Sequence, residues 1–136
     1  MNVAVVGSRT FRDYRFLCEK LDALRFLWGN FTIVSGGAQG ADSLAVRWAK
    51  ERGMPEPIVI PAAWDDLSHP DAVIKTRRDG KRYDARAGFR RNQQIIDHCD
   101  VVVAFWDGRS PGTRDTLRKA TFSGKLAKIY WPNYIK

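Results

Sequence analysis

A glycine-rich turn between an apolar run and an amphipathic segment constrains this chain more than any other feature. The turn, residues 35–42, has the sequence Ser-Gly-Gly-Ala-Gln-Gly-Ala-Asp. It follows the strand-like run 31–34 and leads into the helix-like segment 43–49. Such a junction aims backbone N–H groups and the positive end of a helix dipole at one point, which suits a phosphate or another anion. A tight turn whose glycines only permit close packing is the alternative.

The length and composition of the chain are those of one domain. It has 136 residues, of which 44% are hydrophobic, and it contains no repeat or low-complexity tract. We therefore expect a single domain over residues 1–136. No apolar run approaches the roughly 20 residues of a membrane-spanning helix, and the N-terminus does not resemble a signal peptide. We expect a cytoplasmic protein without a membrane partner.

The cysteines and histidines give no sign of a metal or redox centre. Cys18 and Cys99 lie in helix-like patterns, and we interpret them as reduced core thiols, with a disulfide or redox pair as the less favoured alternative. His69 and His98 are isolated from the cysteines and from each other. The sequence therefore predicts neither a zinc site nor a cofactor.

The positive charge of the chain is concentrated in one segment. The formal net charge is +8. Residues 75–91 hold eight basic side chains against only Asp79 and Asp84, which leaves +6 in this segment. The basic residues are Lys75, Arg77, Arg78, Lys81, Arg82, Arg86, Arg90 and Arg91. A localised basic patch favours phosphates, nucleotides or nucleic acid as partners, whereas a solvated loop that only aids solubility is the alternative.

The order of elements predicts an α/β fold. Strand-like runs at 2–6, 31–34, 57–60, 100–105 and 127–130 alternate with helix-like segments. This pattern is typical of a Rossmann-like three-layer domain with a mainly parallel five-stranded sheet, for which we predict the order 3-2-1-4-5.

A basic loop insertion at about residues 65–85 separates the third strand from the third helix. Its sequence lacks helical or strand periodicity and suggests a small hairpin about Asp79 and Gly80. A lid, an oligomer contact and a nucleic-acid arm are all open interpretations of this insertion.

Three turns rich in glycine and hydroxyl residues follow strands one, two and four. In such sheets ligands bind outside the carboxyl ends of the strands, near the point where the strand order reverses. Ser110 before Pro111 predicts another helix N-terminus in the third turn. Because a P-loop motif, a G-x-G-x-x-G fingerprint after strand one and a G-x-S-x-G elbow are all missing, a P-loop NTPase, a typical NAD-binding enzyme and a serine hydrolase are disfavoured.

The residues predicted to bind the ligand lie in these turns and at the start of the third helix. They are Gly7, Ser8, Arg9, Ser35, Gly36, Gly37, Ala38, Gly40, Ala41, Asp42, Asn92, Trp106, Asp107, Gly108, Ser110, Gly112 and Thr113. Asp42 would bind sugar hydroxyls, or it would serve only as a carboxylate in the first turn of its helix. Trp106 and Trp64 both follow strands and either one could stack on a base, with Trp106 the better candidate.

Several motifs together resemble the SLOG superfamily. They are residues 5–11 (VVGSRTF), 34–42 (VSGGAQGAD), 90–92 (RRN) and 103–108 (VAFWDG) with Gly112-Thr113. The strongest resemblance is to the small YspA-like (YpsA-related) Rossmann-like family of bacteria and phages. The resemblance to DNA-processing protein A-like proteins and to cytokinin-activating phosphoribohydrolases is more distant. The resemblance implies a Rossmann-like fold that binds nucleotides or nucleotide-derived ligands, such as ADP-ribose-like signals, often as a homo-oligomer, here a dimer or tetramer.

The resemblance to the phosphoribohydrolases also implies two catalytic positions, Arg91 and Asp115. Arg91 would orient the phosphate or ribose, and Asp115 would stabilise an oxocarbenium ion or activate water for cleavage of an N-glycosidic bond. However, the hydrolases have a glutamate where this chain has the shorter Asp115, and catalytic groups tolerate little misplacement. A carboxylate in the first turn of a helix is the alternative for Asp115. Binding of a nucleotide or nucleotide-derived ligand, as a sensor, a sequestering module or a weak hydrolase, is the leading hypothesis, and binding of single-stranded nucleic acid by residues 75–91 is the alternative function.

Overall fold

The computed structural model describes residues 1–131, and residues 132–136, which the sequence pattern assigns to a tail, lie outside the described residues. The helices and strands alternate along the chain. They are β1 (Asn2–Gly7), α1 (Tyr14–Trp28), β2 (Thr32–Ser35), α2 (Ala41–Glu51), β3 (Ile58–Val59), β4 (Ile74–Thr76), β5 (Arg82–Asp84), α3 (Ala87–Asp97), β6 (Val101–Phe105), α4 (Pro111–Phe122) and β7 (Leu126–Tyr130).

The main sheet has five strands in the order β3-β2-β1-β6-β7. Every neighbouring pair in it is parallel, and the central strand places Val3 beside both Ile33 and Val101. The hairpin β4–β5 forms a separate sheet, so β6 and β7 are the fourth and fifth strands of the main sheet. The predicted order 3-2-1-4-5 is therefore confirmed.

Helices cover both faces of this sheet and make three layers. Val3 and Val5 of β1 point into a core cluster with leucines of α1 and with Trp48 of α2. Ala4 and Val6 point to the opposite face, where they pack in a cluster with residues of α3 and α4. A strand buried on both faces needs an unbroken apolar sequence, which explains why β1 does not alternate between apolar and polar residues.

The ends of the helices follow the capping signals in the sequence. The carboxylate of Asp13 accepts a hydrogen bond of 3.0 Å from the N–H of Phe16, which caps α1, and Gly29 ends that helix with φ 78°. Pro111 occupies the first turn of α4 after Ser110. None of the helices within residues 1–131 is long and apolar enough to cross a membrane.

The basic insertion forms the predicted hairpin. Strands β4 and β5 pair antiparallel, and Gly80 adopts φ 86° in the turn between them. Asp84, which is fully buried at the base of the hairpin, accepts hydrogen bonds from the N–H groups of Val73 (3.1 Å) and Arg86 (2.9 Å) and pairs with the guanidinium of Arg90. These contacts attach the hairpin to the start of α3.

Candidate functional site

A pocket of about 430 Å³ opens at the carboxyl ends of the sheet strands. The turns after β1, β2 and β6 border it together with one face of α3. Ten residues predicted from the sequence line it: Gly7, Arg9, Ala38, Asp42, Arg91, Asn92, Asp107, Ser110, Gly112 and Thr113. The three turns therefore converge, as the strand order requires.

Nine other predicted residues are not among the described lining residues. They are Ser8, Ser35, Gly36, Gly37, Gly40, Ala41, Trp106, Gly108 and Asp115. Conversely, sequence reasoning did not select Val6, Thr10, Ala85, Gly88, Phe89, Ile95, Pro111 and Thr116, all of which line the pocket, and it weighed Trp64, another lining residue, only as the less favoured stacking candidate.

Two glycines allow the turns after β1 and β2 to pack backbone against backbone. A Cβ atom on Gly7 would lie 2.6 Å from the Cβ of Ala41 and would also collide with the carbonyl oxygen of Phe105. Gly40 has φ 81°, and a Cβ there would meet the carbonyl oxygens of Ser8 and Arg9. Both positions therefore require glycine to hold the turns together.

The two serines of these turns brace the loops from inside. Ser8 is fully buried, and its Oγ accepts a hydrogen bond of 3.1 Å from the N–H of Asp107. The Oγ of Ser35, also fully buried, donates to the carbonyl oxygen of Asp42 and accepts from the N–H of Gly37, each at 3.1 Å. The hydroxyl of Ser8 thus joins two loops and that of Ser35 braces its own turn, and neither residue is among the described lining residues.

A buried carboxylate and two guanidinium groups lie on one side of the pocket. Asp42 is 7% exposed, and its Oδ2 accepts a hydrogen bond of 3.3 Å from the N–H of Ala38. Burial raises the pKa of Asp42 to about 6, although the N–H groups of Ala38 and Gly36 and the charges of Arg91 and Arg9 act to lower it. At neutral pH the carboxylate is ionised and balances one of the two cations.

The guanidinium groups of Arg91 and Arg9 differ in their hydrogen bonds. The Nη1 of Arg91 donates to the carbonyl oxygens of Gly36 (2.8 Å) and Ile60 (3.4 Å). Burial lowers the pKa of Arg91, and the neighbouring Asp42 acts against this effect. Arg9 is exposed, and its guanidinium donates no hydrogen bond to any residue within 1–131. Arg9 is therefore a cation available to an anionic ligand.

The first turn of α4 presents backbone donors to the pocket. Asp107 accepts hydrogen bonds from the N–H groups of Arg109 (2.8 Å) and Ser110 (2.9 Å). Burial acts to raise the pKa of Asp107, but these donors and the hydroxyls of Ser110 and Ser8 outweigh it and hold the pKa below the usual value. The N–H groups of Gly112 and Thr113 have no acceptor within residues 1–131. These two donors, at the positive end of a 12-residue helix, suit an anion.

Asp115 is engaged elsewhere. Its Oδ2 accepts hydrogen bonds from the Nδ2 of Asn92 (3.0 Å) and the Nζ of Lys119 (2.5 Å). Asn92 also donates to the carbonyl oxygen of Gly112 (3.2 Å), which attaches α3 to the start of α4. The two residues matched to the phosphoribohydrolases are thus separated in role, because Arg91 lines the pocket and Asp115 supports its wall.

The aromatic residues are placed differently from the sequence expectation. The Nε1 of Trp106 donates to the carbonyl oxygen of Ser110 (3.3 Å), and its ring lies 5.4 Å from that of Trp131. Trp64 lines the pocket instead, as does Phe89, which belongs to α3 and is 46% exposed. Periodicity places Phe89 on the helix face that borders the pocket, but it cannot distinguish a pocket from a core.

The basic segment divides into a paired part and an exposed part. Arg86 and Arg90 lie within ion-pair distance of Asp71, and Arg90 also pairs with Asp84. The remaining basic residues of the hairpin are exposed: Lys75, Arg77, Arg78, Lys81 and Arg82. Arg77 covers the ring of Tyr83 at 5.0 Å.

The cysteines and the acidic residues show no metal centre in the part of the chain that the structure describes. Cys18 is half-buried and Cys99 is buried, and neither forms a disulfide within residues 1–131. Within residues 1–131 no group of three or more His, Cys, Asp or Glu side chains could hold a metal ion.

Comparison with solved structures supports the fold. The chain aligns with DNA processing protein A (DprA) from Streptococcus pneumoniae with a TM-score of 0.70 and 24% identity, over 98% of this chain and 51% of that one. It aligns with the DprA of Helicobacter pylori with a TM-score of 0.66 and 22% identity, over 98% of this chain and 67% of that one. The chain therefore spans about half of the first structure and two thirds of the second.

Comparison of sequences identifies the family. The chain is 32% identical over 126 residues to the Gene 61 protein of Mycobacterium phage D29, and the match covers 90% of each protein. The sequence model of the family described as "YspA, cpYpsA-related SLOG family" matches residues 1–66, which include the turns after β1 and β2. This chain belongs to the YspA, cpYpsA-related SLOG family.

Proposed function

We propose that the pocket binds a nucleotide or a nucleotide-derived ligand, such as a nucleoside phosphate or an ADP-ribose-like molecule. The observation that carries this proposal is the meeting of an unengaged guanidinium, that of Arg9, with the unengaged N–H groups of Gly112 and Thr113 around one pocket. A volume of about 430 Å³ is within the range of small-molecule sites. Membership of the SLOG family supports the same class of ligand.

We assign different parts of the ligand to different groups of the pocket. The two N–H groups at the start of α4 would take phosphate oxygens, and Arg9 would add a charge-assisted hydrogen bond. Arg91 is already bonded to two carbonyl oxygens and lies beside Asp42, so it contributes mainly to the floor of the pocket. Asp42 is the side chain proposed to contact sugar hydroxyls, because Asn92 is already bonded to Gly112, Asp115 and Arg91.

The geometry supports binding in preference to catalysis. The carboxylate that the resemblance matches to the phosphoribohydrolases, Asp115, is bonded to Lys119 and Asn92 outside the pocket lining. A sensor or a sequestering module is therefore the proposed role. Assembly as a dimer or tetramer and a cytoplasmic location belong to the same proposal, and analytical ultracentrifugation tests the assembly.

Calorimetry tests the proposal directly. AMP, ADP and ADP-ribose would be titrated into the wild-type protein, into Arg9→Gln and into the control Arg15→Gln, whose side chain is 93% exposed on α1. Loss of a hydrogen bond to a charged group predicts a rise in Kd of about tenfold to a hundredfold for Arg9→Gln alone. If none of the three compounds binds the wild-type protein, the proposal is wrong.

A second candidate function is binding of single-stranded nucleic acid by the basic hairpin. The observation that favours it is the exposure of five basic residues on β4, β5 and their turn, without the acidic partners that engage Arg86 and Arg90. The H. pylori DprA is described as having a single-stranded DNA binding mode. Phosphate contacts from such an arm would dominate affinity.

Salt dependence tests this second candidate. The variant Arg77→Gln, Arg78→Gln, Lys81→Gln, Arg82→Gln would be compared with a control that replaces four exposed basic residues elsewhere, Arg15, Lys50, Arg118 and Lys128. Loss of four phosphate contacts would lower the slope of log K against log salt by about 3 for a single strand. An equal loss of oligonucleotide binding in both variants would show that binding depends on the net charge of the chain and not on the hairpin.

A further inference from the structure

Two aromatic side chains, those of Trp64 and Phe89, line the pocket together with Gly88. Trp64 follows β3, and Gly88 and Phe89 belong to the first turn of α3. A Cβ on Gly88 would lie 2.8 Å from Cη2 and 3.2 Å from Cζ2 of Trp64, so the six-membered ring of the indole rests directly on the backbone of the helix. Glycine at this position makes room for the indole.

The position of Trp64 is fixed by its surroundings. Its carbonyl oxygen accepts a hydrogen bond of 2.8 Å from the N–H of Asp84, the buried residue at the base of the hairpin. The ring of Tyr83 meets the indole edge to face at 6.3 Å. A wall held in this way is ready to receive a ligand, because little side-chain freedom remains to be lost on binding.

Phe89 is only partly covered within the chain, where the Nζ of Lys119 lies 6.0 Å from the centroid of its ring. Its side chain is 46% exposed, although it stands beside buried Ala87 and on the helix that contributes Ile95 and Ile96 to the core. An exposed phenylalanine at the edge of a pocket leaves apolar surface in water that a flat ligand would cover.

We propose that Trp64, Gly88 and Phe89 form a base-stacking subsite, so that the ligand carries a planar base and is not a simple sugar phosphate. This inference rests on the proposed nucleotide function. The same pocket is bordered by Arg9 and by the first turn of α4. One molecule with a phosphate and a flat ring would therefore contact both the anion donors and the aromatic side chains. Stacking on an aromatic side chain tolerates any base, since every base has a π-face.

Calorimetry with paired probes tests the subsite. The four nucleoside 5′-monophosphates and ribose 5-phosphate would be titrated into the wild-type protein, Trp64→Leu and Phe89→Leu. Since stacking is worth about fivefold to a hundredfold in affinity per base, at least one nucleotide should bind the wild-type protein more tightly than ribose 5-phosphate by such a factor. Trp64→Leu should lose most of that advantage and should bind ribose 5-phosphate within about twofold of wild type.

The controls distinguish a failure of the stacking subsite from a failure of the proposed nucleotide function. Phe89→Leu changes an exposed side chain and keeps the test valid if Trp64→Leu does not fold, and Phe122→Leu is its matched control because Phe122 is 95% exposed on α4. Equal binding of nucleotides and ribose 5-phosphate to the wild-type protein would overturn the stacking subsite but leave the phosphate site intact. An undiminished base advantage in both Trp64→Leu and Phe89→Leu would also overturn it. Absence of binding by every probe, and by ADP and ADP-ribose, would overturn the proposed function itself.

Discussion

The Nη1 of Arg91 donates a hydrogen bond of 2.8 Å to the carbonyl oxygen of Gly36, 55 residues earlier in the chain. A Cβ on Gly36 would lie 2.6 Å from this Nη1 and 2.8 Å from the Oδ2 of Asp42. The glycine-rich turn of residues 35–42 thus admits a guanidinium of its own chain. Ala38 and Asp42 of this turn line the pocket beside Arg91, whereas the donors without an acceptor within residues 1–131 are Arg9 and the N–H groups at the start of α4.

Removal of the Arg91 guanidinium should destabilise the fold. In Arg91→Met the carbonyl oxygens of Gly36 and Ile60 lose a donor, and the buried Asp42 loses a neighbouring cation. We expect the free energy of unfolding at pH 7 to fall by about 1–3 kcal/mol in urea denaturation. The control Arg15→Met should change it by less than about 0.5 kcal/mol because that side chain is exposed. An unchanged urea midpoint for Arg91→Met would show that this contact does not stabilise the fold.

Ionisation of Asp42 should lower the free energy of unfolding as the pH rises. The folded-state pKa, about 6, lies above the usual value of about 4, so between these values the folded state binds more protons than the unfolded state. The contribution is therefore fully present below about pH 4 and is lost as the pH rises through 6. Two pH units at about 1.4 kcal/mol each give a loss of roughly 3 kcal/mol.

The variant Asp42→Asn isolates this effect, because its side-chain oxygen can still accept from Ala38 but does not ionise. Unfolding free energies of both proteins would be measured from pH 4 to pH 7. Asp22 and Asp107, whose pKa values are lowered in the fold, make stability rise with pH in both proteins and cancel in the difference. As the pH rises, the free energy of unfolding of Asp42→Asn should increase relative to that of the wild type. A difference between the two proteins that stays constant with pH would contradict the raised pKa of Asp42.

Gly112 offers a substitution that should separate stability from binding. No atom lies within 4 Å of a Cβ built there, and the residue stands in the first turn of α4. Gly112→Asp should keep or slightly raise the unfolding free energy, because a carboxylate is favourable at a helix N-terminus. It should weaken AMP binding by about tenfold or more, since it places a negative charge where the phosphate is proposed to lie.

Gly112→Ala is the matched control, because it fills the same open space without a charge. Calorimetry should show AMP binding close to wild type in this variant. If the alanine and aspartate variants bind AMP equally well, the phosphate does not lie at the start of α4.

Local signals in the sequence predicted the elements, and long-range contacts decided the pocket. Asp13 and Pro111 mark helix starts because capping acts within one turn, and the apolar strands identify a sheet covered on both faces. The choice of Trp64 over Trp106 as a lining residue depends on contacts of the insertion with α3, which have no periodic signature. Ser8 and Ser35 have the composition of ligand-binding turns, but the hydroxyl of Ser8 is bonded to the loop after β6 and that of Ser35 is bonded within its own turn.

Asp115 provides a test of whether this chain has any hydrolase chemistry. In Asp115→Ala the buried Asn92 and Lys119 lose an acceptor, so we expect the unfolding free energy to fall by about 1 kcal/mol, and by less in Asp115→Asn, which retains one oxygen. Because Asp115 is not among the lining residues, AMP binding to Asp115→Asn should stay within about threefold of wild type. Chromatography of AMP incubated with either protein should show no released adenine. Release of adenine by the wild-type protein, abolished in Asp115→Asn, would instead assign the carboxylate a catalytic role and would require a rearrangement of its bonds to Asn92 and Lys119.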